Sequence, residues 1–168
     1  GIQTGVNTGT SQTANLGANE TIHFYDPSTN NVMVSLDNTS TFDYGCVTVE
    51  VDRDGSSPTA LEFASSNTSD YLHSKTFTIT PTNNNPSGTF NVTLYYEEAE
   101  VTAWESITGN SRNDAEIIKV AGNNTINNVT PANYTTYTID NVLASIGVFI
   151  SDVTFSAPFS NGFSGFSW

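Results

Sequence analysis

Two aspartates, Asp52 and Asp54, stand just ahead of Gly55 in the stretch "VDRDG". Alternating acids before a glycine are how a calcium loop can begin, because the ion takes several oxygens from one short turn. The further ligands and a distal Glu do not follow, so the stretch also reads as a solvated hairpin turn. The sequence calls for no cofactor beyond that calcium site. His23 and His73 stand in unrelated contexts, with no H-E-x-x-H, no paired-cysteine zinc spacing and no Gly-rich phosphate loop. "GFSGF" sets Ser164 near glycines but lacks the G-x-S-x-G spacing of a nucleophile elbow. The chain is expected not to be an enzyme. Aromatic side chains are the other candidates: Tyr44, Tyr71, Tyr95, Trp104 and Trp168 are of the kind that stacks on sugars, and Tyr44 and Trp104 are singled out for that role. Cys46 is the only cysteine, which excludes an internal disulfide; the expectation is a buried strand thiol.

The elements that must hold these residues are strands. Thr, Ser, Asn and Gly make up nearly half of the 168 residues, and Thr, Val, Ile, Tyr and Phe dominate the β-branched and apolar positions. "ETIHFYD" and "NVMVSLD" flank "PSTN" as a hairpin. "YGCVTVEVD" is followed by a turn, "TALEFAS" is a weaker strand, and "KTFTITP" puts Phe77 and Ile79 on one face. "TFNVTLYY" does the same with Phe90, Val92, Leu94 and Tyr96. One stretch departs: "EEAEVTAWESITG" spaces Val101, Trp104 and Ile107 or Thr108 as a helix does, with acids in its first turn and Gly109 at its end. A helix near residues 97–107 follows, pinned by Trp104 across one end of a sandwich. The expected fold is an all-β, immunoglobulin-like or jelly-roll-type sandwich over residues 19–168.

Charge narrows the partners. Four Lys and Arg against 17 acids give a formal net charge of −13, which argues against nucleic acid and against an anionic membrane. No apolar run approaches the ~18 residues a membrane helix needs. Few lysines, many hydroxyls and a charged fraction of only 12% suit an extracellular or cell-surface setting. Asn-x-Ser/Thr triplets begin at Asn19, Asn38, Asn67, Asn91, Asn123, Asn128 and Asn133 and become acceptors only in a glycosylating host.

"FDYGCVTVEVDRDG", "KTFTITPTNNNPSGTFNVTLYYEEAEVTAWESITGNSRNDAEIIKV" and "GFSGF" together resemble a β-sandwich module of proteins secreted by the type IX system. Such modules lie near the C-termini of large extracellular metallopeptidases and adhesins. The resemblance runs over about residues 20–168, and it implies a secreted or surface location with no catalysis by the module itself.

Residues 1–18, "GIQTGVNTGTSQTANLGA", form an extended N-terminal arm whose even positions are apolar or β-branched except Gln12. Period two marks a strand with one buried face. The arm either supplies the first strands of its own sandwich or is donated to a neighbouring subunit; the expectation taken forward is donation, with Ile2, Val6 and Leu16 as anchors, which makes the chain a self-assembling filament or surface-structure subunit. The alternative is an accessory carbohydrate- or surface-binding module of a larger secreted protein.

Overall fold

The computed structural model describes residues 1–4, 10–52, 60–64, 67, 70–122 and 124–168. Among these the chain runs through β1 (Thr10–Leu16), β2 (Thr21–Tyr25), β3 (Val32–Asn38), β4 (Gly45–Asp52), β5 (Ala60–Glu62), β6 (Tyr71–His73), β7 (Thr76–Pro81), β8 (Phe90–Tyr96), α1 (Glu98–Thr108), β9 (Glu116–Val120), β10 (Ile139–Leu143), β11 (Ser145–Phe149), β12 (Asp152–Phe159) and β13 (Gly165–Ser167). Six strands form one sheet in the order β1-β4-β7-β13-β9-β10, five form the facing sheet in the order β11-β12-β8-β3-β2, and β5 pairs with β6 in a short ladder. The fold is the all-β sandwich that the alternation demands. Val47, Val49 and Val51 of β4 meet Phe90, Val92, Leu94 and Tyr96 of β8 and Phe155 of β12 in one core cluster. No described helix is long and apolar enough to cross a membrane.

The helix lies where its caps put it. The Glu100 carboxylate accepts the Glu97 backbone N–H at 2.8 Å, and Gly109, at φ 72°, donates its N–H to the Glu105 carbonyl at 2.8 Å. A left-handed residue at that position closes the last turn, and glycine adopts it without a Cβ penalty.

The arm lies on its own sandwich, the first of the two courses open to it. β1 pairs antiparallel with β4 of its own chain, from Thr10 opposite Val51 to Leu16 opposite Gly45. Leu16 is fully buried in the main core of its own sandwich. Ile2 bridges Val32 and packs with Val32 and Tyr95; the Gln3 N–H donates to the Val32 carbonyl at 2.9 Å, and the Val32 N–H to the Gly1 carbonyl at 2.9 Å. Val6 lies outside the described residues. The period-two reading of β1 holds, since Gln12, Ala14 and Leu16 turn inward relative to Ser11, Thr13 and Asn15. Its partner in the sheet is β4 of the same chain. The open edge of β4 is tethered only a short chain length away, so intramolecular pairing runs at a far higher effective concentration than capture by another molecule.

Cys46 is also corrected: its thiol is exposed. Val47, Val49 and Val51 claim the inner face of β4, which turns Cys46, opposite Asn15, to the outside.

Candidate functional site

Asp52 ends β4 opposite Thr76, and Asp54 lies outside the described residues. Among the described residues no group of three or more His, Cys, Asp or Glu side chains is placed to hold a metal ion. Tyr44 is fully buried, edge-on to Phe42 at 5.0 Å and tilted on Phe163 at 4.8 Å, so it offers no ring face to a sugar. Ser164 is a structural bracket: its hydroxyl accepts the Asn124 N–H at 3.0 Å and donates to the Asn124 carbonyl at 3.3 Å. His23 Nδ1 lies 2.5 Å from the Ser35 hydroxyl, which also meets the Tyr95 hydroxyl at 2.7 Å. That chain of groups sits mid-strand across β2, β3 and β8 rather than in a cleft.

Trp104 behaves differently. It packs on Trp168 with ring centroids 4.6 Å apart, and both line a cleft of about 780 Å³. Four elements make this cleft. The β5–β6 ladder supplies Phe63, Tyr71 and Leu72; the end of α1 and the 3-10 turn Arg112–Asp114 supply Gly109, Asn110, Ser111 and Asp114; β9 and β10 supply Glu116, Ile118, Ile139 and Asn141; and Tyr134 stands on a separate turn. The buried lining residues, Phe63, Leu72, Trp104, Ile118 and Trp168, give an apolar floor, while Asp70, Asp114, Glu116 and Asn141 are exposed along the rim. The indole N–H groups of Trp104 and Trp168 have no hydrogen-bond partner among the described residues. The pairing of an apolar aromatic floor with a few polar rim groups is how small-ligand sites are generally built.

Two devices fix the walls. The Arg112 guanidinium reaches the Glu98 carboxylate at 2.7 and 2.8 Å and the Glu105 carboxylate at 2.7 Å, tying the 3-10 turn to the flank of α1. Hydrogen bonds from Arg112 hold both carboxyls below their usual range. Behind the floor, Lys75 Nζ is buried 3.3 Å from Glu100 Oε2 and donates to the Tyr95 carbonyl at 2.7 Å. It lies 4.7 Å from the centroid of the Tyr96 ring. These bonds join β7, β8 and the first turn of α1.

His73 completes the support. Its Nδ1 accepts the Lys75 backbone N–H at 3.0 Å, so the ring proton sits on Nε2 and points to the Glu100 carbonyl at 3.2 Å. A second proton would face the Lys75 N–H. Burial, and after it the Lys75 charge, push the imidazole from its ordinary value of 6.5 down to about 3, against the pull of the Glu100 carbonyl. Because the folded value lies below the unfolded one, the unfolded chain takes up the proton first. Stability is full above about pH 6.5 and falls as the pH drops toward 3, by ~1.4 kcal/mol per unit from this one group. Urea midpoints at pH 7 and pH 4.5 should show that loss, and His73→Gln should flatten it. Equal pH slopes for parent and variant would remove His73 from the account.

Of the sequence candidates, the structure brings Trp104, Trp168 and Tyr71 together and leaves Tyr44 and Tyr95 elsewhere. Phe63, Tyr134, Asp114 and Asn141 were not anticipated. They come from turns and strand ends with no shared pattern, and only the meeting of four elements makes them neighbours. Compared with protein families, curated proteins and solved structures, the chain matches none.

Proposed function

We propose that this chain is a non-catalytic, extracellular binding module, and that the cleft over Trp104 and Trp168 holds an uncharged carbohydrate segment. The observation that carries the reading is the composition of the cleft, an aromatic floor beneath a rim of carboxylates and amides. The C–H face of a pyranose packs on aromatic rings, and its hydroxyls donate to carboxylates and exchange hydrogen bonds with amides. Asp70, Asp114 and Glu116 on a chain of net charge −13 repel phosphates, sulfates and nucleic acids, which leaves neutral glycans as the favoured guests. The resemblance to accessory modules of secreted proteins points the same way. Strand donation loses its motive, because β1 and Ile2 are satisfied within their own chain.

Titration calorimetry against neutral oligosaccharides chosen from a glycan array tests this. Tyr71 is half-buried and Tyr134 exposed, so Tyr71→Ala and Tyr134→Ala should leave the fold intact and weaken binding about tenfold each, the ~1.4 kcal/mol expected of one stacked contact. Asp114→Ala should do likewise through a lost acceptor. Absence of binding by any neutral glycan at millimolar concentration, or binding indifferent to all three changes, would refute the assignment.

A further inference from the structure

The two long sides of the sandwich are finished differently. On one, β1 and β2 close the gap, with the Gln12 side-chain oxygen accepting the Tyr25 N–H at 2.5 Å. On the other, β10 and β11 end the two sheets, and among the described residues β11 pairs with β12 alone, which leaves its outer row of backbone groups without a strand partner there. Seven large apolar side chains are exposed among the described residues, and four lie here: Leu143 at 64%, Ile146 at 40%, Val148 at 81% and Ile150 at 85%. Ile146 and Val148 stand opposite Phe155 and Val153, which face the core, so they continue the inner face of the sheet past the point where the other sheet covers it. Ile150 holds φ 60°, a strained conformation for a β-branched residue, at the turn into β12. A flat, apolar, unguarded edge of this kind is a template for another strand.

We infer that this edge is covered by a second copy of the chain, with β11 pairing antiparallel to β11 about a two-fold axis at Gly147. Three features select a copy of itself. The strand is self-complementary about Gly147, since antiparallel pairing sets Ile146 of each molecule against Val148 of the other and Ser145 against Phe149. Gly147 itself, on the axis, has no side chain to meet its twin. Charge permits the contact here: residues 141–151 carry no ionisable side chain in a chain of net charge −13. The nearest acids stand back from the seam: Asp152 is on β12, paired with Phe149 one strand in, and Asp140 is on β10 of the other sheet, 3.7 Å from Lys119 Nζ. The two five-stranded sheets then run on as one, and Ile146 and Val148 of each molecule leave water across the seam. The contact is small, which puts the dimer in the micromolar class rather than the nanomolar one.

Sedimentation equilibrium under reducing conditions, which keep the exposed Cys46 thiol out of the measurement, reads this directly. The parent protein should show a reversible monomer–dimer equilibrium across micromolar to millimolar concentrations. Val148→Asp should raise the dissociation constant at least ~10-fold by placing acids beside one another across the axis, and its melting temperature should stay that of the parent because Val148 is exposed. Asn15→Asp, on the far edge strand β1, should leave the dimer unchanged. In a Cys46→Ser background, Ile146→Cys with Val148→Cys should cross-link two chains on oxidation. A parent that is monomeric throughout overturns the inference. So does a dimer that Val148→Asp leaves intact, or growth into longer polymers, which a two-fold contact cannot produce.

Discussion

Glu100→Ala will lower the stability of the fold by about 3–5 kcal/mol, the usual result of stripping one partner from a buried ion pair. For a domain of this size the melting temperature should fall by roughly 10 °C or more. Lys75 Nζ is almost wholly excluded from water, and Glu100 Oε2 at 3.3 Å is its only ionic partner among the described residues. What remains after the substitution is the Tyr95 carbonyl and the rings of Tyr96 and Phe77, at 4.7 and 5.7 Å. The same change removes the carboxylate that accepts the Glu97 N–H and so loosens the first turn of α1. Burial already holds the Lys75 pKa below the ordinary lysine value of 10.5, and the Glu100 carboxylate is the largest influence opposing it. Without that carboxylate the folded value drops further below the unfolded one. The deficit is therefore full below the folded pKa and shrinks as pH rises toward that of the unfolded lysine. Lys75→Met with Glu100→Leu should recover most of the loss, since a buried pair replaced by apolar groups of similar volume is often neutral. A loss under ~1 kcal/mol from Glu100→Ala would show that the pair does not hold α1.

The legible parts of this molecule are those written in a local period. β4, β7 and β8 alternate because each presents one face to the core, and Val47, Phe77 and Val92 all turn inward as the pattern requires. α1 was legible for the same reason, from the spacing of Val101 and Trp104 and the Gly109 cap. What the period does not encode is the identity of the neighbour. β1 alternates equally well whether it lies on β4 of its own chain or on another molecule. Cys46 shows the reverse limit: thiols favour burial, but three valines at alternate positions leave the inner face of β4 no place for it. The cleft was legible only in pieces. Trp104, Trp168 and Tyr71 are each of a type that stacks on sugars, yet they are distant in sequence and meet only because α1, β6 and β13 converge. Its acids and amides lie in turns whose residue types serve turns everywhere, so nothing local separates Asp114 from other turn aspartates.

Trp168→Ala should cost the fold about 3–5 kcal/mol, the range for emptying a fully packed aromatic site, against a total that is rarely above ~15 kcal/mol. Trp168 stacks on Phe155 at 4.2 Å and touches Trp104 at 4.6 Å, Tyr96 at 5.3 Å and His73 at 5.8 Å. Its carbonyl accepts the His73 N–H at 2.6 Å. It follows β13, which lies between β7 and β9 in the middle of the six-stranded sheet, so the indole joins the main core to the cleft floor and the β5–β6 ladder. The conservative variant separates packing from recognition. Trp168→Phe keeps an aromatic ring on Phe155 and should retain most of the stability lost by the alanine. It removes the indole N–H, which has no partner within the described chain. If that N–H donates to a hydroxyl of a bound glycan, Trp168→Phe should weaken glycan binding several-fold while urea unfolding stays near that of the parent. If affinity follows stability through the whole series, Trp168 acts by packing alone, and the polar recognition rests on the rim.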